Sequence, residues 1–289
     1  MAKTRELVRR RKAIANIRKI TRTMELIATA RFKKAMDRAS EAAEYTRKIA
    51  ELAADLSASA TDVKHPLLET RTEVKAVRLL VLSSNRGLCG GYNASILRAA
   101  NARIRELRAS GTTLRLDLSG KRAIASYRYQ GISADHTYTH FEEKPKFEEV
   151  NPLADRYIQE YVSGTVDRVE VAYMKFINAS KQVPMVETLL PLAPVTAKPK
   201  GAATIEYEFL PAAAEILEQI LPESFKVRLF KCFLDAAVSE QIARRVAMKQ
   251  ATESAETMSK DLARQYNRVR QAQITKEIAE IVGGAEALK

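Results

Sequence analysis

The chain has 289 residues, 46% of them apolar, with no tryptophan and 6% aromatics, and its 48 Lys and Arg against 35 Asp and Glu leave a net charge of +13. No apolar run approaches the roughly 20 residues needed to cross a bilayer, and two cysteines without paired spacing, Cys89 and Cys232, exclude a disulfide framework and fit a reducing compartment. The charge excess asks for an acidic partner, and it is local: residues 1–38 hold thirteen Lys and Arg against three acids, a surplus of ten.

From Met1 to His65 there is neither glycine nor proline. Both residues interrupt helices, so this segment reads as one very long helix. Ile17, Ile20, Met24 and Ile27 recur at 3-4-3 spacing, preceded by Leu7 and Ile14, and Ala28, Ala35, Ala39 and Ala42 continue the stripe with small residues. Such spacing predicts a seam of coiled-coil type, interrupted at Arg10, Thr21 and Arg31. An Arg-rich, acid-poor beginning can imitate an organellar transit peptide. Here the helical pattern runs on far past any cleavage point, so the segment is read as part of the fold.

Pro66 to Pro222 holds nearly all the glycine and proline. Val77–Ser83 is a predicted strand, Tyr92–Ala109 a helix, Leu114–Leu118 a second strand, Arg122–Gln130 a short helix and Asp135–Thr139 a third strand. A helix is expected from Pro152 to Val162, then strands at Val169–Ile177 and Met185–Leu190. This alternation argues for an α/β domain with a largely parallel sheet. "LPLAPVTAKPKG" reads as a loop and "TIEYEFLP" as a last strand or sheet edge.

From Glu223 to Val282 glycine and proline are again missing. Met258, Leu262, Tyr266 and Val269 step by 4-4-3, and Ile274, Ile278 and Ile281 by 4-3; Ser239, Arg245, Lys249 and Glu253 leave the apolar face weak. Sixty helical residues span about 90 Å, more than a small domain can bury. The two terminal helices are therefore expected to pair with each other, antiparallel because the middle domain returns the chain to its start. The expected fold is α/β plus long α-helices, divided into residues 1–60, 61–210 and 211–289. Polar residues all round such helices imply surrounding surfaces.

An apolar strand, a glycine turn and a helix in "LLVLSSNRGLCGGYNASIL" have the order of a nucleotide-binding βα unit. The dinucleotide fingerprint requires G-x-G-x-x-G, and Gly87, Gly90 and Gly91 are spaced G-x-x-G-G; the Walker lysine and hydroxyl are replaced by Tyr92 and Asn93. A tight structural turn is the expected role. His136 and His140 lack a companion Cys or carboxylate cluster and read as solvated strand residues. Cys89, beside Arg86 near a helix start, stands in a setting that can activate a thiol but has no acid–base partners in view. Neither a catalytic set nor a cofactor or metal site is found. A basic helix that grips nucleic acid is the competing reading. "RRRKAIANIRKIT" interleaves its charges with a full apolar stripe, which a groove-reading region does not need, and no nucleic-acid partner is expected.

Four stretches resemble the gamma-subunit family of F-type ATP synthases. "ITKEIAEIVGGAEA" (Ile274 to Ala287) is similar to the family's closing signature at Ile274, Thr275, Glu277, Glu280, Gly284, Ala285 and Ala287. "SSNRGLCGGYN" (Ser83 to Asn93) resembles its glycine turn, with Asn85 where the family usually has Asp. "RRRKAIANIRKITRTMELIATARFKKA" resembles its first helix and "SEQIARRVAMKQAT" the start of its last. The resemblance implies an antiparallel coiled coil of the N- and C-terminal helices with a central Rossmann-like α/β domain. It implies a non-catalytic shaft inside a ring of alpha and beta subunits, footed on the epsilon subunit and the membrane c-ring and turned by proton flow. Location at the cytoplasmic face of a bacterial inner membrane, peripheral to it, would follow. By the same resemblance Met24, Arg244, Arg270 and Gln271 match positions that meet beta subunits, and Tyr207 and Phe209 positions near the c-ring or epsilon. The cysteine-bearing insertion of plastid relatives is missing, so thiol regulation of that kind is not expected.

Overall fold

The computed structural model describes residues 2–59, 65–141, 144–192 and 213–286; "TIEYEFLP", and with it Tyr207 and Phe209, lies outside them. In chain order the elements are α1 (Ala2–Ser59), β1 (Ala76–Leu82), α2 (Tyr92–Ala109), β2 (Thr113–Ser119), α3 (Lys121–Tyr129), β3 (His136–Tyr138), α4 (Phe147–Val162), β4 (Arg168–Asn178), β5 (Lys181–Leu190) and α5 (Ala213–Glu286). They form two compact units: Ala30–Ala243, and Met1–Thr29 together with Arg244–Lys289.

The first unit is built on a five-stranded sheet of order β3-β2-β1-β4-β5, parallel except for β5, which returns antiparallel to β4. Strand side chains alternate between faces, and both faces are covered, which is why β1 is nearly continuous in apolar residues. Leu79, Val81, Leu116 and Leu118 pack with Tyr92, Ile96, Ala100 and Ile104 of α2 and Tyr127 of α3. Leu80, Leu82, Val169 and Val171 pack with Leu153 and Tyr157 of α4 and with Leu221, Phe225 and Leu229 of α5. In the same unit Ala35 and Ala39 of α1 admit Leu234, Val238 and Ile242 of α5.

One charged residue stands in the central strand. Arg78, 2% exposed, donates to Glu160 from Nε (3.0 Å) and Nη2 (2.8 Å), and to Asp117 (2.9 Å) and Asp135 (2.8 Å) from Nη1. Asp117, fully buried, also accepts from the Tyr157 hydroxyl at 2.9 Å and from Arg156. Burial, reinforced by the charge of Asp117, pushes the Tyr157 phenol well above its ordinary pKa, so it stays a donor.

Helix α4 begins at Phe147, not Pro152. The Glu149 carboxylate accepts the Lys146 N–H (3.4 Å), and Val150 is buried in the core, so packing starts the helix early. Pro152 removes only the bond to the Glu148 carbonyl, which lies in an exposed first turn. Likewise α5 starts nine residues before Pro222, because Leu221 and Phe225 on either side are buried.

In the second unit α1 and α5 run antiparallel. Thr4 donates to Gln273 (3.2 Å), Arg11 lies 5.6 Å over the Tyr266 ring, and Thr252 donates to Thr21 (2.8 Å). The covered positions of α1 are Leu7, Ile14, Thr21 and Ala28, every seventh residue; on α5 they are Met248, Thr252, Ala255, Leu262, Tyr266 and Val269. This corrects the expected seam. Thr21 belongs to it, whereas Ile17, Ile20 and Ile27 are 46%, 59% and 45% exposed and Met24 alone of that stripe is half-buried. Both stripes repeat every seven residues; α5 covers the Leu7–Ile14–Thr21–Ala28 side, and the 3-4-3 stripe lies on the adjoining face. Met258, Ile274, Ile278 and Ile281 on α5 are also exposed.

Candidate functional site

The glycine turn is filled by its own side chains. Ser84 Oγ donates to the Arg86 carbonyl (2.6 Å), Asn93 Nδ2 donates to Ser84 Oγ (2.8 Å) and Cys89 Sγ (3.1 Å), and Asn93 Oδ1 accepts the Ser84 N–H (3.0 Å). The Tyr92 N–H at the start of α2 is spent on the Cys89 carbonyl (3.2 Å). A cradle for phosphate needs open N–H groups, and those of Ser84 and Tyr92 are already spent inside the turn. Cys89, 2% exposed, is a packing residue. Gly90 takes φ +56° and Leu88 φ +62°. For leucine that region is sparsely populated, yet the Leu88 side chain is 60% exposed. A rigid turn thus presents an apolar knob outward, a feature that no spacing rule discloses.

Asn85 ties the turn to its surroundings, donating to the carbonyls of Thr139 (2.9 Å) and Phe141 (3.4 Å) and accepting the Lys121 N–H (3.0 Å). An ionised aspartate accepts only, so the two donations depend on the amide. His136 and His140 are exposed, and no cluster of three or more His, Cys, Asp or Glu able to hold a metal occurs among the described residues.

The exposed apolar stripe of the helix pair is the second surface. In this unit a groove of about 650 Å³ is lined by Arg18, Arg22, Thr23, Lys249 and Glu253, and another of about 350 Å³ by Ala13, Ile14, Met258 and Leu262 with charged rims at Arg10 and Asp261. The larger groove is lined by charged and polar side chains throughout, and the smaller one has an apolar floor. Met24 borders the stripe half-buried, Arg270 and Gln271 are exposed, and Arg244 is only 6% exposed. Tyr207 and Phe209 are outside the described residues. None of the helices is long and apolar enough to cross a membrane among the described residues.

Comparison with known proteins gives one consistent set of matches. A family model described as ATP synthase matches residues 3–288. The ATP synthase gamma chain of Rhodopirellula baltica is 54% identical over 295 residues, with 100% of both chains covered. That of Leptospira biflexa is 40% identical over 288 residues, again with 100% of both covered. Among solved structures, a chain of the Euglena gracilis mitochondrial ATP synthase, described as OSCP/F1/c-ring, has a TM-score of 0.66 at 15% identity, covering 99% of this chain and 95% of that one. A chain of the Tetrahymena thermophila enzyme, described as central stalk and c-ring, has a TM-score of 0.56 at 18% identity, covering 80% and 99%. At those identities the structures speak for the fold.

Proposed function

The chain belongs to the ATP synthase gamma family, matched from end to end, and from that premise we infer that it is the central rotor shaft. It passes torque between a membrane c-ring driven by proton flow and a ring of alpha and beta subunits, coupling proton translocation to ATP synthesis or hydrolysis. The observation that carries this is the uncovered stripe of Ile17, Ile20 and Ile27. Two paired helices that leave large apolar residues in water require a surface around them. A shaft that turns past several similar partners must hold none of them tightly, and exposed polar contacts worth about 1 kcal/mol or less each suit that. They steer register without locking it.

The ring partners are alpha and beta subunits, with epsilon and the c-ring at the foot. Met24, Arg270 and Gln271 contact beta subunits, and Tyr207 and Phe209 the c-ring or epsilon. Arg244 reaches a beta subunit only if its side chain leaves its present packing. Leu88, on its rigid turn, is a further contact. Residues 1–60 and 211–289 make the shaft and 61–210 the foot. The protein lies at the cytoplasmic face of a bacterial inner membrane, held there through the complex, and is itself non-catalytic. Accordingly, titrating the isolated chain with labelled ATP or NAD should give no saturable binding; a micromolar site abolished by Gly90→Ala would overturn that reading.

Replacing Ile17, Ile20 and Ile27 together by Ser tests the shaft. Thermal unfolding of the isolated chain should shift by no more than about 1 kcal/mol, as for surface positions, while assembly with alpha and beta subunits and ATP-driven proton pumping fall sharply. Normal assembly and pumping by the triple variant would sink the proposal.

A further inference from the structure

On α5, Arg228, Cys232, Asp235 and Ser239 follow one another at 4-3-4 spacing and so share one face. That face meets the β4–β5 hairpin: Arg228 Nη2 lies 3.7 Å from Glu187, and Ser239 Oγ donates to the Met174 carbonyl at 3.3 Å. Cys232, Asp235 and Ser239 are 3%, 4% and 1% exposed. A row of polar side chains is therefore buried between helix and hairpin. Glu187 is well served, accepting from the Tyr173 hydroxyl (2.6 Å) and Lys175 Nζ (3.5 Å). Burial alone would raise its pKa, but these donors together with Arg228 hold it below the ordinary carboxylate range.

Asp235 is not served. Among the described residues no hydrogen bond reaches its carboxylate. The charged and titratable groups that face it are Lys231 and Cys232 on α5, Lys175 and Tyr173 on β4 and Glu187 on β5. Against this stretch of α5, α1 packs Phe32, Ala35, Met36 and Ala39, and α2 brings Tyr92, whose hydroxyl donates to the Ala236 carbonyl at 3.1 Å. At 4% exposure the Asp235 carboxylate keeps only a thin edge toward solvent, and an ionised form so little hydrated and without a protein donor is costly. We propose that Asp235 carries a proton while α5 is seated on the β4–β5 hairpin, and that its ionisation loosens the seat, making this junction a pH-sensitive joint.

Burial pushes Asp235 up to about 6, Lys231 and Lys175 opposing and Glu187 adding to the rise. For an acid raised on folding, the stabilisation is complete below the ordinary value of 3.8 and is lost as pH rises through about 6. The joint does not depend on the shaft reading, and the isolated full chain suffices to test it. Carbon-13 NMR of the carboxyls should show Asp235 titrating near pH 6, with Glu187→Gln moving the midpoint down. Between pH 5 and 7.5 the folding equilibrium of the wild type should fall about tenfold relative to Asp235→Asn. A midpoint below pH 4.5, or parallel stability profiles for wild type and Asp235→Asn, would overturn the proposal. If Asp235→Asn does not fold, the wild-type titration decides alone.

Discussion

Arg78→Ala is expected to cost about 3–5 kcal/mol of stability, the loss typical of removing one partner from a buried ion pair. The guanidinium is 3% exposed and serves Glu160, Asp117 and Asp135 at once. Its removal leaves Asp117, on the neighbouring strand β2, with Arg156 as the one remaining ion-pair partner among the described residues. The same change loosens α4, since Glu160 and Tyr157 both belong to that helix. Arg78→Lys keeps the charge but cannot offer the planar fork that bonds Glu160 twice, so an intermediate loss is expected. Urea unfolding of the full chain measures both. A loss below about 1 kcal/mol for Arg78→Ala would mean that the carboxylates are satisfied without it.

Gly120→Ala is expected to cost about 2–6 kcal/mol, adding backbone strain of roughly 1–3 kcal/mol to overpacking of similar size. Gly120 joins β2 to α3 at φ +95°, and a Cβ there would lie 2.1 Å from the Ser83 carbonyl oxygen, which is backbone and cannot swing aside. Its own N–H donates to Tyr138 (2.9 Å), so the turn is pinned from both sides by β1 and β3. Gly111 provides the control: φ is +71° but the space around it is open. Gly111→Ala should show the conformational cost alone, about 1–2 kcal/mol. Equal unfolding midpoints for the two variants would show that the Ser83 contact relaxes away.

The α/β part was highly legible. Helix α2 spans Tyr92–Ala109 as expected, and β1, β2, α3 and β3 each lie within two residues of the expected bounds. Here local pattern and tertiary burial agree, because strands covered on both faces and helices covered on one leave a strong periodic signal. One proline misled: at Pro152 the helix continues, since the missing bond falls at exposed Glu148 while Val150 and Leu153 are buried. The Arg78 network was invisible for a different reason: its members come from β1, β2 and α4 and from the loop before β3, and meet only when the sheet closes.

The candidate contact surface shows the division most clearly. Two glycine- and proline-free segments with repeating apolar residues sufficed to establish long helices and their antiparallel pairing, because helix length and period are local properties. Which face of α1 is covered was not local. Two stripes compete on it, 7-14-21-28 and 17-20-24-27, and the second is the more apolar. The fold buries the first, with Thr21 bonded to Thr252 inside it; both stripes repeat every seven residues, so period alone does not choose between them and the contacts made by α5 do. What remains outside, Ile17, Ile20 and Ile27, is left by tertiary packing for another surface to cover.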